Sequence, residues 1–221
     1  MLIGTVQHLQ AVAVYVDWTS FTPSSSSGAG DGSAIGTLTF GPTVVNVSYS
    51  GDVYSGGGVT TTVNDDVAYY STPNYTPPIA LTDNISNDDG ANNVHTIAFD
   101  LPVVNPHFHV FSLGAPGTPV DWVFDSDFAV LSGNISRSSA NTLSGEESYG
   151  SIGFTGVFTS ISWTTPIFEN TTGFQFSVDD VAPPPPPANG VPEGGPTIAV
   201  FGISLLVLVT SRARACPTAK S

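Results

Sequence analysis

Positive charge is almost missing from this chain. Of 221 residues only four are Lys or Arg, against 18 Asp or Glu, and the formal net charge is −14. Arg212, Arg214 and Lys220 sit in the last ten positions, so Arg137 stands alone in everything before them. Such a body cannot displace the counterions of a phosphate backbone, which excludes nucleic acid as its partner. It is equally unsuited to an anionic lipid surface. Cysteine is as scarce: the single thiol, Cys216, lies near the carboxyl end. The body therefore has no disulfide framework and no thiolate metal site, and its stability must come from burial. Charged residues of either sign make up 10% of the chain, where an ordinary domain has about 25%. Ser, Thr, Asn and Gly supply the polar surface instead. No stretch of the body carries a helical apolar period, and no repeat of fixed length recurs.

What is present is alternation with a period of two. His95–Leu101 sets Ile97, Phe99 and Leu101 against Thr96, Ala98 and Asp100. Gly173–Asp180 sets Phe174, Phe176 and Val178 inward and Gln175, Ser177 and Asp179 outward, and Val157–Trp163 puts Val157, Thr159, Ile161 and Trp163 on one face. Further strands are expected at Ala34–Phe40, Val44–Tyr49, Val59–Val63, Phe108–Leu113, Val120–Asp125 and Phe128–Gly133. Breakers rich in Gly, Pro, Ser and Asn separate them, and Tyr69–Asn93 reads as a long crossing. Many short strands with one apolar face predict an all-β body, an antiparallel β-sandwich or jelly-roll-like fold in which two faces bury each other.

The chain divides into five parts. Residues 1–13 have two readings: the end of a signal peptide that continues upstream of Met1, with Ala11-Val12-Ala13 as its small-x-small cleavage site, or the approach to a first strand over Val12–Trp18. Residues 14–182 form the ectodomain, and 183–190 a linker opened by five prolines, which form a stiff polyproline II spacer. Residues 191–214 hold Val191–Thr197, then an apolar run over Thr197–Thr210, then Arg212 and Arg214; residues 215–221 are a tail. The apolar run predicts a single C-terminal hydrophobic helix entering a membrane. The basic pair marks its cytoplasmic end, so the body faces out.

This ordered triple resembles the C-terminal sorting signal of the PEP-CTERM class, in its VPDSG-like variants. Val191, Pro192 and Glu193 match the head of the motif, Gly194 and Gly195 its small pair, and Arg212 and Arg214 its basic stop. Glu193 stands where the closest variant has Asp, and Cys216–Ser221 run on past the usual end. The resemblance covers about the last tenth of the chain and implies destination rather than activity. It implies an exosortase-like membrane transpeptidase as partner, a Gram-negative source, and delivery to the cell surface or an exopolysaccharide matrix.

Within the body, candidate chemistry is sparse. His107 and His109 at i, i+2 share a strand face and suit a metal, with His95 or Asp100 to complete it; the favoured alternative is two surface histidines opposite Phe108. Asp83, Asp88 and Asp89 offer hard oxygens of the kind Ca²⁺ takes, though without EF-hand spacing, and Asx turns explain them as well. Asp179 and Asp180 carry a weaker form of that suggestion. Glu146, Glu147 and Glu169 are the carboxylates available for a glycosidase pair, but Glu146-Glu147 reads as a solvated turn. Trp18, Trp122 and Trp163 read as core rather than as a sugar platform. No nucleophile elbow or body cysteine is present. The expectation is a non-catalytic structural or adhesive body. The alternatives are a glycan-binding, lectin-like module, calcium-dependent or not, and then a secreted hydrolase.

Overall fold

The structure, a computed structural model, describes residues 12–54, 59–60, 75–79, 83–87, 90–169 and 172–183. Every regular element among them is a strand, all pairings are antiparallel, and no helix occurs. The class is all-β, as the alternation predicts. The strands are β1 (Val14–Tyr15), β2 (Asp17–Thr22), β3 (Gly32–Phe40), β4 (Thr43–Gly51), β5 (Val59–Thr60), β6 (Asn84–Asn87) and β7 (Asn93–Leu113). They continue with β8 (Val120–Phe124), β9 (Ala129–Gly133), β10 (Ser136–Arg137), β11 (Thr142–Gly145), β12 (Ser148–Gly153), β13 (Val157–Thr165) and β14 (Thr172–Val181). The chain divides between Ala182 and Pro183. The C-terminal hydrophobic segment, the sorting motif Val191–Gly195, and Arg212 and Arg214 lie outside the described residues, as do Asp88 and Asp89.

The strand β7 organises the fold. The sequence suggested two strands, around His95–Leu101 and Phe108–Leu113; the chain makes one of 21 residues. Its first part pairs with β4 on one side and β13 on the other, and its second part with β12 and β14. Two arms result. One runs β2-β3-β4-β7-β13-β8-β11-β10, the other β9-β12-β7-β14-β6-β5, with β1 also on β14. Between them, the β7–β13 register slips at Phe158/Ser160, where Val103 and Ala98 oppose residues only two apart. Pro102 lies in this bulge, where its missing N–H costs no ladder bond. The slip corrects two sequence assignments. Leu101 and Val157, expected on core faces, are exposed: Leu101 lies within the bulge itself, and Val157 lies beyond it, where Phe158 packs on the core instead.

The inner faces of the two arms meet in one aromatic core. Phe108 contacts Phe124, Phe154, Trp163, Phe174 and Phe176 at ring distances of 4.9–5.9 Å. Trp18, Trp122 and Trp163 are all buried, as the core reading required. Aromatic pairs of this kind contribute about 0.5–1.5 kcal/mol each beyond the area they bury. The hairpin β3–β4 shows local chemistry setting register. Phe40 pairs with Thr43 around Gly41-Pro42, and Gly41 has φ +56°. Positive φ followed by a proline φ near −65° is the combination of a type II′ turn, whose twist suits a two-residue hairpin. Alternation then buries Val45, Val47 and Tyr49 and exposes Val44, Asn46, Ser48 and Ser50.

Candidate functional site

His107 and His109 do share one side of β7, but neither is a surface residue. The expected outward face of this arm is itself covered. Tyr75 lies over it, with Phe111, Ile79 and Tyr149 packed around. Tyr75 OH donates to the Val110 carbonyl at 3.3 Å, Thr76 N donates to Ser132 Oγ at 2.9 Å, and Tyr15 OH donates to the Pro78 carbonyl. Beneath this cover His109 is fully buried, with its ring 5.5 Å from that of Tyr15 and 6.3 Å from that of Tyr75. Gln175 and Ser177 of β14, expected outward, are buried for the same reason. A central strand with both faces covered breaks the rule that polar alternates point to water.

His109 Nδ1 lies 2.9 Å from Ser151 Oγ and Nε2 lies 2.9 Å from Ser177 Oγ. Burial, and then His107, push its pKa down to about 3, so the ring is neutral and one serine donates while the other accepts. A serine beside an imidazole is the start of a nucleophilic pair, yet both serines are sealed at 0% exposure. His107 faces Asp179, Nδ1 to Oδ1 at 3.8 Å, and burial lowers its pKa against the pull of that carboxylate. Asp179 Oδ2 accepts from Asn105 Nδ2 at 3.0 Å. The two imidazole centroids are 6.5 Å apart. With both His109 nitrogens facing serines, the pair does not converge on a common point. Among the described residues no three His, Cys, Asp or Glu side chains gather closely enough to hold a metal.

The suggested third ligands are elsewhere. Asp100 receives Asn46 N at 2.8 Å and Asn46 Nδ2 at 2.5 Å. His95 stacks on Trp163 at 5.0 Å and places Nδ1 2.9 Å from Tyr49 OH. That hydroxyl donates its one proton to the Asp52 carbonyl at 2.7 Å, so His95 must be the donor at Nδ1. Burial takes the His95 pKa down to about 4, with Asp52 opposing. Of the loop carboxylates Asp83, Asp88 and Asp89 only Asp83 is described: it is half-buried, with φ +64°.

Sequence reasoning missed Asp52. Its carboxylate is fully buried and accepts from Gly30 N at 2.5 Å, Ser24 Oγ at 3.3 Å, Gly90 N at 2.8 Å and Asn93 Nδ2 at 2.5 Å. One side chain thus ties together three connections that are distant in sequence. Nothing in the pattern Ser-Gly-Asp-Val distinguishes it from a surface turn.

The three glutamates do gather at the connection between β7 and β8. Glu169 Oε2 accepts from Gly114 N at 2.6 Å, Gly117 N donates to Glu146, and Ser112 Oγ donates to Glu147 Oε1 at 3.2 Å. Glu146 and Glu147 are exposed, as a solvated turn would have them. Glu169 is 6% exposed, and burial, with a smaller push from Glu147, raises its carboxyl to about 7 against the opposing Gly114 bond. A carboxyl whose pKa is raised by burial beside a second carboxyl group is the electrostatic pattern of an acid–base pair. Here the acid is closed off and anchors the connection after β13 to the turn after β7. The tryptophans are closed off as well, so none of the three is available as a sugar platform.

Comparison with known proteins gives no match to a family model, to a curated relative or to a solved structure.

Proposed function

We propose that the chain is an exported surface or extracellular-matrix protein of a Gram-negative bacterium, with a non-catalytic structural or adhesive body and an exosortase-type sorting signal at its end. Within the all-β class, this reading takes the two arms as the halves of a β-sandwich. The observation that carries it is the order of the tail: proline spacer, Val191–Gly195, apolar run, then Arg212 and Arg214. A segment of about fourteen apolar residues is short for a 30 Å hydrocarbon core, which suits temporary anchorage before cleavage. The partner implied is a membrane transpeptidase, and the destination a polysaccharide matrix or the cell surface. The character of the body supports export without adhesion to its own membrane: it is acidic and has no cysteine in Met1–Ala182. His95, His109 and the three tryptophans are committed to packing rather than to an open site.

The test is fractionation of a Gram-negative host that carries an exosortase. The full chain is expected in the envelope and then outside the cell, shortened near residue 191. A chain ending at Ala182 is expected to bypass the envelope-bound stage. If both partition identically, the sorting reading fails.

A further inference from the structure

The outer face of the first arm holds a groove of about 450 Å³ across β2, β3, β4 and the bend of β7. Two irregularities shape it. On one side the β2–β3 register slips between Trp18 and Ser20, leaving Thr19 as an extra residue that stands up as a wall. On the other, β7 turns away toward the second arm, and Asp100 reaches back to hold Asn46 by both its backbone and side-chain nitrogens. Between these walls the floor presents Ile35, Thr37, Asn46 and Ser48.

Register orders these groups. Asp17 pairs with Thr37, Thr37 pairs with Asn46, and Asn46 is bonded to Asp100. A carboxylate therefore stands at each end of a hydroxyl–amide row crossing four strands, about 14 Å from first strand to last at about 4.8 Å per spacing. The parallel row places Ile35 beside Ser48 and Ala98. The groove thus combines hydroxyl and amide partners, a small aliphatic patch and the Asp100 carboxylate, and the row it lies on continues beyond its lining to Asp17 beside Thr37.

Charge decides what this face accepts. An anionic polymer is repelled by both ends and by a body of strongly negative net charge. A second copy of the chain brings its own carboxylates to the same face, where no described Lys or Arg lies to meet them. Arg137, the only Lys or Arg among the described residues, sits on β10 at the other end of the arm, bonded to the Ser139 and Ala140 carbonyls. We infer that this groove binds a hydroxyl-rich glycan carrying protonated amino groups. The hydroxyls of such a chain pair with Thr37, Asn46 and Ser48, and its ammonium groups meet Asp17 and Asp100. The inference rests on the export reading and names the matrix component that the body holds.

The experiment is titration of the full chain with a glucosamine hexamer at pH 6, followed by calorimetry. Saturable binding is expected. It should weaken at least tenfold in D17N/D100N, and again in Ser48→Trp, which fills the groove from an exposed position. The charge-matched D121N/D127N should bind as the parent does, and unchanged circular dichroism confirms that each variant is folded. The N-acetylated hexamer should bind at least tenfold more weakly than the free amine. No saturable binding, equal loss in D121N/D127N, or an N-acetylated hexamer as tight as the amine overturns the inference. So does a lysine oligomer of equal charge that binds as tightly. Failure here leaves the fractionation result for the sorting signal standing, so the two claims fail separately.

Discussion

Replacing Asp52 by Asn is the most informative test of what holds the fold together. The carboxylate accepts four hydrogen bonds through two oxygens: Gly30 N and Ser24 Oγ on one, Gly90 N and Asn93 Nδ2 on the other. An asparagine keeps one acceptor oxygen and turns an amide nitrogen toward the remaining donors. Two bonds to a charged acceptor are lost, and donor faces donor in a site with no exposure. Bonds to charged groups are worth about 1.5–3 kcal/mol each, so the loss should be about 3–6 kcal/mol. That is a large part of the 5–15 kcal/mol typical of a folded domain. Asn93 Nδ2 also donates to the Gly28 carbonyl at 2.8 Å, so the connection before β3 should loosen first. Urea unfolding followed by tryptophan fluorescence measures the loss, because all three indoles lie in the core. Amide exchange at Gly30 and Gly90 locates it. A loss below about 1 kcal/mol, with protection at both glycines unchanged, would refute the idea that one buried carboxylate joins these connections.

Three further outcomes follow from the same geometry. His95 and His109 have folded pKa values held below the ordinary 6.5, at about 4 and about 3, so the stability they contribute is complete above pH 6.5 and is lost as pH falls toward those values. At about 1.4 kcal/mol per unit for each ring, and with the unfolded rings half protonated at pH 6.5, their joint contribution falls by about 3 kcal/mol between pH 6.5 and 5, and imidazole NMR at pH 5 should still show both rings neutral in the folded chain. Glu169 has the opposite sign: its raised carboxyl favours the fold at low pH and opposes it as pH rises through about 7. Glu169→Gln keeps the acceptor for Gly114, so this variant should be more stable than the parent at pH 8 and should lose stability more steeply on acidification; a parallel pH profile would contradict the assignment. Phe108→Ala removes the ring that five others contact and should cost about 3–5 kcal/mol by urea unfolding, whereas Val157→Ala, at an exposed position, should change stability by less than about 0.5 kcal/mol.

The sequence made the strand content, the buried tryptophans and the inward set Phe174, Phe176 and Val178 legible, because local alternation determines each of them. Leu101 escaped because it falls inside a bulge and Val157 because it follows one, and a bulge is a property of two paired strands rather than of one. His109, Gln175 and Ser177 escaped for another reason. Alternation assumes that one face of a strand meets water, and here Tyr15 and Tyr75 come from remote segments to close that face. Asp52 was invisible because its four partners come together only after the connections fold. The glutamates near Gly114 were legible as residues, but the burial that sets Glu169 apart from Glu147 depends on tertiary contact.

The export account turns on one measurement: the C-terminal peptide of the protein recovered outside its native cells, by mass spectrometry. The account requires a chain that stops close to Val191–Gly195, with the apolar run and both arginines gone. A polypeptide still carrying Lys220, recovered soluble from the cytosol with nothing in the envelope, would contradict it.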